Sequence, residues 1–156
     1  MEISIKKRDA FKAIGVRWQG TFQQAQAGEI KELMQQFRMR LDNLPETINK
    51  EFILGVSYDI NETGFTYYLC CEVKGQYSLP EDMVEINVPE LTYASYYHKP
   101  EENISETYTA VYKWIKEEGY RLDDQINLQH LEIYPSDYHP INDAPRLTIN
   151  IPVKMI

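Results

Sequence analysis

Phe11-Lys12-Ala13-Ile14-Gly15-Val16-Arg17 can be laid over Leu91-Thr92-Tyr93-Ala94-Ser95-Tyr96-Tyr97, and Leu69-Cys70-Cys71-Glu72-Val73-Lys74 over Ile149-Asn150-Ile151-Pro152-Val153-Lys154, both at an offset of 80 residues. Few identities survive the overlay; the hydrophobic phase and the order of the elements are what repeat. Period-two stretches predict strands at 3–7, 11–18, 52–59, 65–74, 85–88, 91–98, 129–135 and 146–154. Asn61-Glu62-Thr63-Gly64 reads as the turn of a hairpin between two of them. Two segments carry the helical period instead. Ile30, Leu33, Met34, Phe37 and Leu41 share one helix face, and Thr21 with Gln24 forms a capping-box start, which predicts a helix over 22–43. Ile104, Tyr108, Val111, Tyr112 and Ile115 make the second stripe, capped by Asn103 and stopped at Gly119.

The order is therefore strand, helix, strand, strand, twice over. A half of about 80 residues gains little core by itself, whereas two halves sharing one sheet bury both helices. The expected architecture is α+β: a duplicated motif with pseudo-twofold symmetry and an antiparallel sheet. Both helices should lie on one face, with a concave ligand cleft on the other. We read 1–156 as a single domain with repeats at about 1–80 and 81–156.

Composition narrows the function. The chain has 156 residues, 43% hydrophobic and 26% charged, with 16 Lys and Arg against 24 Asp and Glu, a net charge of −8. So acidic a body repels phosphate backbones, and direct nucleic-acid binding is not expected. No stretch approaches the roughly 20 apolar residues of a membrane helix, and the N-terminus lacks a signal-peptide core. A cytoplasmic protein is the expectation. The two cysteines, Cys70 and Cys71, are adjacent and point to opposite faces of a strand, so they read as small buried hydrophobes. No phosphate loop, catalytic triad or ligand-spaced His/Cys cluster appears, and neither cofactor nor metal is expected. The run Lys6-Lys7-Arg8-Asp9 reads as a solvated edge and turn.

Twelve tyrosines, five phenylalanines and two tryptophans suit either strands or the wall of a binding cavity. Strand alternation offers a candidate site. If Leu131 and Ile133 face the helices, then His130, Glu132 and Tyr134 face the cleft; in the neighbouring strand Tyr67, Leu69, Cys71 and Val73 fit the core, which sends Thr66, Tyr68, Cys70 and Glu72 to the cleft. A partly desolvated carboxylate among tyrosines favours a lipophilic cation, and each Tyr face adds about 0.5–2 kcal/mol of cation–π attraction. A sheet open to water on its second face shows the same alternation, and a lone His130 there is usually just solvated. Trp114 lies roughly 80° off its helix stripe, which fits either core or cleft rim. The phase of 91–98 leaves open which of Tyr93, Tyr96 and Tyr97 faces the cleft.

Four stretches resemble the GyrI-like small-molecule-binding domain family, whose fold also serves as the effector-binding domain of MerR- and AraC-type multidrug-responsive regulators. They are Ala13-Ile14-Gly15-Val16-Arg17-Trp18-Gln19-Gly20-Thr21-Phe22, Leu54-Gly55-Val56-Ser57-Tyr58, Tyr112-Lys113-Trp114-Ile115 with Gly119-Tyr120, and Leu131-Glu132-Ile133-Tyr134 closing with Ile151-Pro152-Val153-Lys154. The resemblance implies that Glu132 sits at the base of a pocket and meets the ligand, with Tyr134 beside it. It also implies walls from neighbouring strands, best matched by Tyr68, and a helix tryptophan matched by Trp114; Tyr97 completes the ligand-binding set. Pro100 stands where the family carries Gly after the His-Lys pair.

Three functions follow as expectations. The first is a stand-alone module that sequesters or senses a small lipophilic compound, cationic or planar aromatic, with no DNA-binding segment of its own. The second, implied by the resemblance, is a hydrolase that opens electrophilic cyclopropane-type genotoxins with Glu132 as its catalytic base. The third is contact with a protein partner such as DNA gyrase or a separate regulator.

Overall fold

The computed structural model describes residues 1–156. Its strands are β1 (Ser4–Arg8), β2 (Phe11–Thr21), β3 (Phe52–Tyr58), β4 (Gly64–Glu72), β5 (Val84–Val88), β6 (Leu91–His98), β7 (Tyr120–Leu122), β8 (Leu128–Pro135) and β9 (Leu147–Met155). The helices are α1 (Phe22–Gln26), α2 (Glu29–Met39) and α3 (Ile104–Glu117), with a 3₁₀ turn at Leu41–Asn43. All pairings are antiparallel, in the order β1-β6-β9-β8-β3-β4-β2-β5, with β7 attached to β9. The α+β class and the antiparallel sheet match the expectation. No helix is long and apolar enough to cross a membrane.

The order is palindromic about the β8–β3 pair, which is where a pseudo-twofold must pass. Each half contributes its leading strand to the other: β1 lies beside β6, and its counterpart β5 beside β2. This exchange bends the sheet. Only Asp9 and Ala10 separate β1 from β2, a reach of at most ~11 Å from Arg8 to Phe11, yet the two strands are six positions apart in the order. A flat sheet would put about 29 Å between them. The sheet therefore curls until its edges approach, and the inner side fills with Leu54, Val56, Cys70, Val88, Leu91, Tyr93 and Leu131.

The outer side carries the helices in two further clusters. One joins α2 to Ile14, Ile53, Leu69 and Cys71; the other joins α3 to Ala94, Ile149, Ile151 and Val153. Both sides of the sheet are thus apolar, and this decides where the cleft opens. The expected helix over 22–43 is broken: Gly28 adopts φ +100° between α1 and α2, a left-handed conformation that favours glycine. The start is as anticipated, with Thr21 Oγ1 accepting from the Gln24 amide at 3.1 Å and Gln24 Oε1 from the Thr21 amide at 2.8 Å. The short β7 was not anticipated; three residues are too few to show a period. Cys70 and Cys71 are buried free thiols, and burial pushes Cys71 up to about 12 and Cys70 well above the usual range, which leaves both unreactive.

Candidate ligand-binding site

Glu132 lies at the middle of the β3–β8 ladder, directly opposite Gly55, which is opposite Leu69 of β4 in turn. Paired residues share a face, so Glu132 stands with Leu69 on the helix side. Tyr67, two residues before Leu69, lies on that side as well. An added Cβ at Gly55 would sit 1.9 Å from the Tyr67 hydroxyl oxygen. The glycine is the gap through which Tyr67 reaches across β3, where its hydroxyl donates to Glu132 Oε1 at 2.6 Å.

Two more phenols converge on the same carboxylate. Tyr134 donates to Oε1 at 3.1 Å, and Tyr108 of α3 donates to Oε2 at 2.5 Å. Burial, followed by the adjacent Glu132 charge, holds Tyr67, Tyr108 and Tyr134 well above the ordinary tyrosine range, so all three remain donors at neutral pH. Glu132 takes part in none of the ion pairs of the structure. Beside it the His130 ring lies 4.6 Å from that of Tyr108. Burial lowers His130 to about 4. It is therefore neutral at pH 7, and with the proton on Nδ1 its Nε2 accepts from the Tyr112 hydroxyl at 2.5 Å.

Above this floor is a cavity of about 360 Å³. Phe22, Ala25, Ile30 and Met34 of α1 and α2 wall one side, Ile104 and Tyr108 of α3 the other, and Phe65, Tyr138, Pro140 and Leu147 complete an apolar lining. Tyr134 stacks on Tyr138 with centroids 5.3 Å apart. The cavity is thus mostly apolar, with the Glu132 carboxylate at its base and Lys31 in its wall. A recess of similar size beside Tyr112 holds Asp59, Asp123 and Asp124; its carboxylates do not converge on a shared point, and no group of His, Cys, Asp and Glu has metal-ligand geometry.

The structure brings Glu132 and Tyr134 together as expected but corrects the cleft's face: it opens between the helices, on their own side of the sheet. The reason is that Leu131 and Ile133 pack into the curled inner core rather than under the helices. Tyr68 goes with them, edge-to-face on Tyr58 at 5.5 Å, on the far side of the sheet from Glu132. Trp114 stacks on Tyr120 at the edge of the α3 cluster, and Tyr97 is 46% exposed; neither lines the cavity. Tyr93 faces the inner core and Tyr96 the helix side, where it donates to Glu102 at 2.6 Å. Tyr67 and Tyr108, expected among the core positions, supply two of the three hydroxyls around the carboxylate. The signal for Tyr67 was Gly55, a glycine in mid-strand, which marks close approach by a neighbour.

A family model described as the GyrI-like small molecule binding domain matches residues 1–154. No match was found among curated proteins. Among solved structures, the C-terminal domain of EcmrR is similar at 15% identity and TM-score 0.67, over 99% of this chain and 98% of that one. In the EcmrR–DNA complex, this chain spans 58% of the length of the regulator. SAV2435, solved bound to tetraphenylphosphonium, is similar at 14% identity and TM-score 0.68, over 99% and 94%. A hydrolase from Listeria innocua is similar at 13% identity and TM-score 0.56, over 98% and 92%. At these identities the likeness is one of fold.

Proposed function

The chain belongs to the GyrI-like small molecule binding domain family, and from that premise we propose that it binds lipophilic cations or planar aromatic compounds in the cavity above Glu132, as a module that sequesters or senses them inside the cell. One observation carries this reading. A carboxylate at the base of a largely apolar cavity takes three phenol hydroxyls and forms no ion pair, Lys31 of the cavity wall included. The hydroxyls hold the charge in place without neutralising it. A ligand cation would supply the missing partner, while the aromatic lining, Tyr108, Tyr134 and Tyr138 included, would supply cation–π and dispersion attraction. Tetraphenylphosphonium, the compound in the SAV2435 structure, has the required chemistry and serves as the first probe.

The hydrolase reading uses the same carboxylate but fits less well. Three accepted hydrogen bonds occupy most of the roughly four lone-pair positions of Glu132, which leaves little of the carboxylate free to take a proton from water. The buried phenols around it are correspondingly poor acids. Contact with DNA gyrase rests on the acidic surface alone. A thermal-shift series separates binding from its absence: tetraphenylphosphonium should raise the melting temperature by mass action, and neutral triphenylphosphine oxide should raise it much less. Equal shifts from both compounds would remove the cation from the proposal, and consumption of an electrophilic cyclopropane substrate would favour the hydrolase.

A further inference from the structure

The face of the sheet turned away from Glu132 carries a recess of about 320 Å³ beside β1. Lys6 and Arg8 from β1 and Ser95 from β6 line it, with Phe52, Leu54 and Ile133 supplying apolar surface. Neither cation forms an ion pair, in a chain where acids outnumber bases 24 to 16. Arg8 Nε is buried with no hydrogen-bond partner. That N–H lies against protein, with the guanidinium carbon 5.9 Å from the Phe11 ring centroid, so it is the terminal N–H groups of the fork that an oxyanion in the recess would meet. Ser95, 2% exposed, adds a hydroxyl to the same recess. Glu72 is the one carboxylate in the lining.

We propose that this recess is a second ligand site, for the carboxylate of a compact apolar acid: the carboxylate against Arg8 and Lys6, the body against Leu54 and Ile133. A phosphate ester is the poorer fit, because its second negative charge would meet Glu72 without a further cation to answer it. The site lies across the sheet from the Glu132 cavity and selects the opposite charge, so its occupancy does not depend on that cavity's ligand.

The test is a calorimetric titration of the whole protein with benzoate, with benzamide as the neutral isostere and inorganic phosphate as the bare anion. Benzoate should bind on the order of tenfold more tightly than either control, as expected for a charge-assisted pair on a guanidinium. Arg8→Gln and the exposed Lys6→Gln should each weaken benzoate, Glu72→Gln should strengthen it, and Glu132→Gln should leave it unchanged. Lys6→Gln keeps the test decisive if Arg8→Gln does not fold. Failure of benzoate to bind, equal binding of benzamide, equal binding of phosphate, or indifference to Lys6→Gln would each overturn the proposal.

Discussion

Gly55 and Glu132 face each other at the centre of the molecule, and the site depends on one of them having no side chain. A methyl group at Gly55 would occupy the position of the Tyr67 hydroxyl. Gly55→Ala should therefore expel Tyr67 from Glu132 and destabilise the fold by about 1–3 kcal/mol through overpacking. Thermal melts read the stability, and a loss of cation binding reads the displaced phenol. His130 gives a second prediction at this scale. Its folded value, about 4, lies below the ordinary 6.5. Both states bind little proton above pH 6.5, whereas between 6.5 and 4 the unfolded chain binds more, so stability falls as pH falls through that window. Denaturant melts at pH 7 and pH 5 should show the loss, at most about 1.4 kcal/mol per pH unit from this residue, and His130→Gln should flatten it.

At the scale of the element, the arm formed by α1 and α2 reaches over the cavity because the chain bends at Gly28. No atom lies within 4 Å of a Cβ added there, so Gly28→Ala meets no steric obstacle beyond its own φ of +100°. That strain costs about 1–2 kcal/mol, relieved by straightening the bend, which would carry Phe22 and Ala25 away from the cavity. Gly28→Ala should lower the melting temperature and weaken ligand binding together, whereas a surface change such as Glu32→Ala should alter neither. The elements were largely legible in the sequence, since period two and period 3.6 identify strands and helices wherever a segment is long enough. Alternation within one strand separates its two faces, and it correctly grouped Glu132 with Tyr134 and Tyr67 with Leu69. It does not say which face of one strand matches which of the next. That match rests on register, here the row Leu69–Gly55–Glu132, and with both faces apolar the side chains of Leu131 and Ile133 pointed equally well to either core. Tyr68 was thus placed in the site and Tyr67 in the core, although core and site lie on the same face.

For the molecule as a whole, the repeat at an offset of 80 residues made the duplication visible but hid the exchange of leading strands. The strand β1 belongs to the first repeat by sequence and pairs with the second, and β5 does the reverse. A fragment of residues 1–80 would lack β5, leaving β2 without its outer neighbour, and would hold β1 with no β6 to receive it. We predict that this fragment is unfolded by circular dichroism and that fragments 1–80 and 81–156 regain structure only when mixed. The exchange also explains how the site comes to lie between the halves: the β3–β8 pair that joins them carries Gly55 from one and Glu132 from the other.

The most direct test of the central claim is a calorimetric comparison of tetraphenylphosphonium binding to the wild type and to Glu132→Gln at pH 7. Gln keeps the size of the side chain and removes its charge. The account predicts that affinity falls by about tenfold or more, while the melting temperature without ligand shows the fold intact. Equal affinity in the two proteins would mean that the cavity holds its ligand by apolar contact alone and that the three hydroxyls around Glu132 serve the fold rather than the ligand.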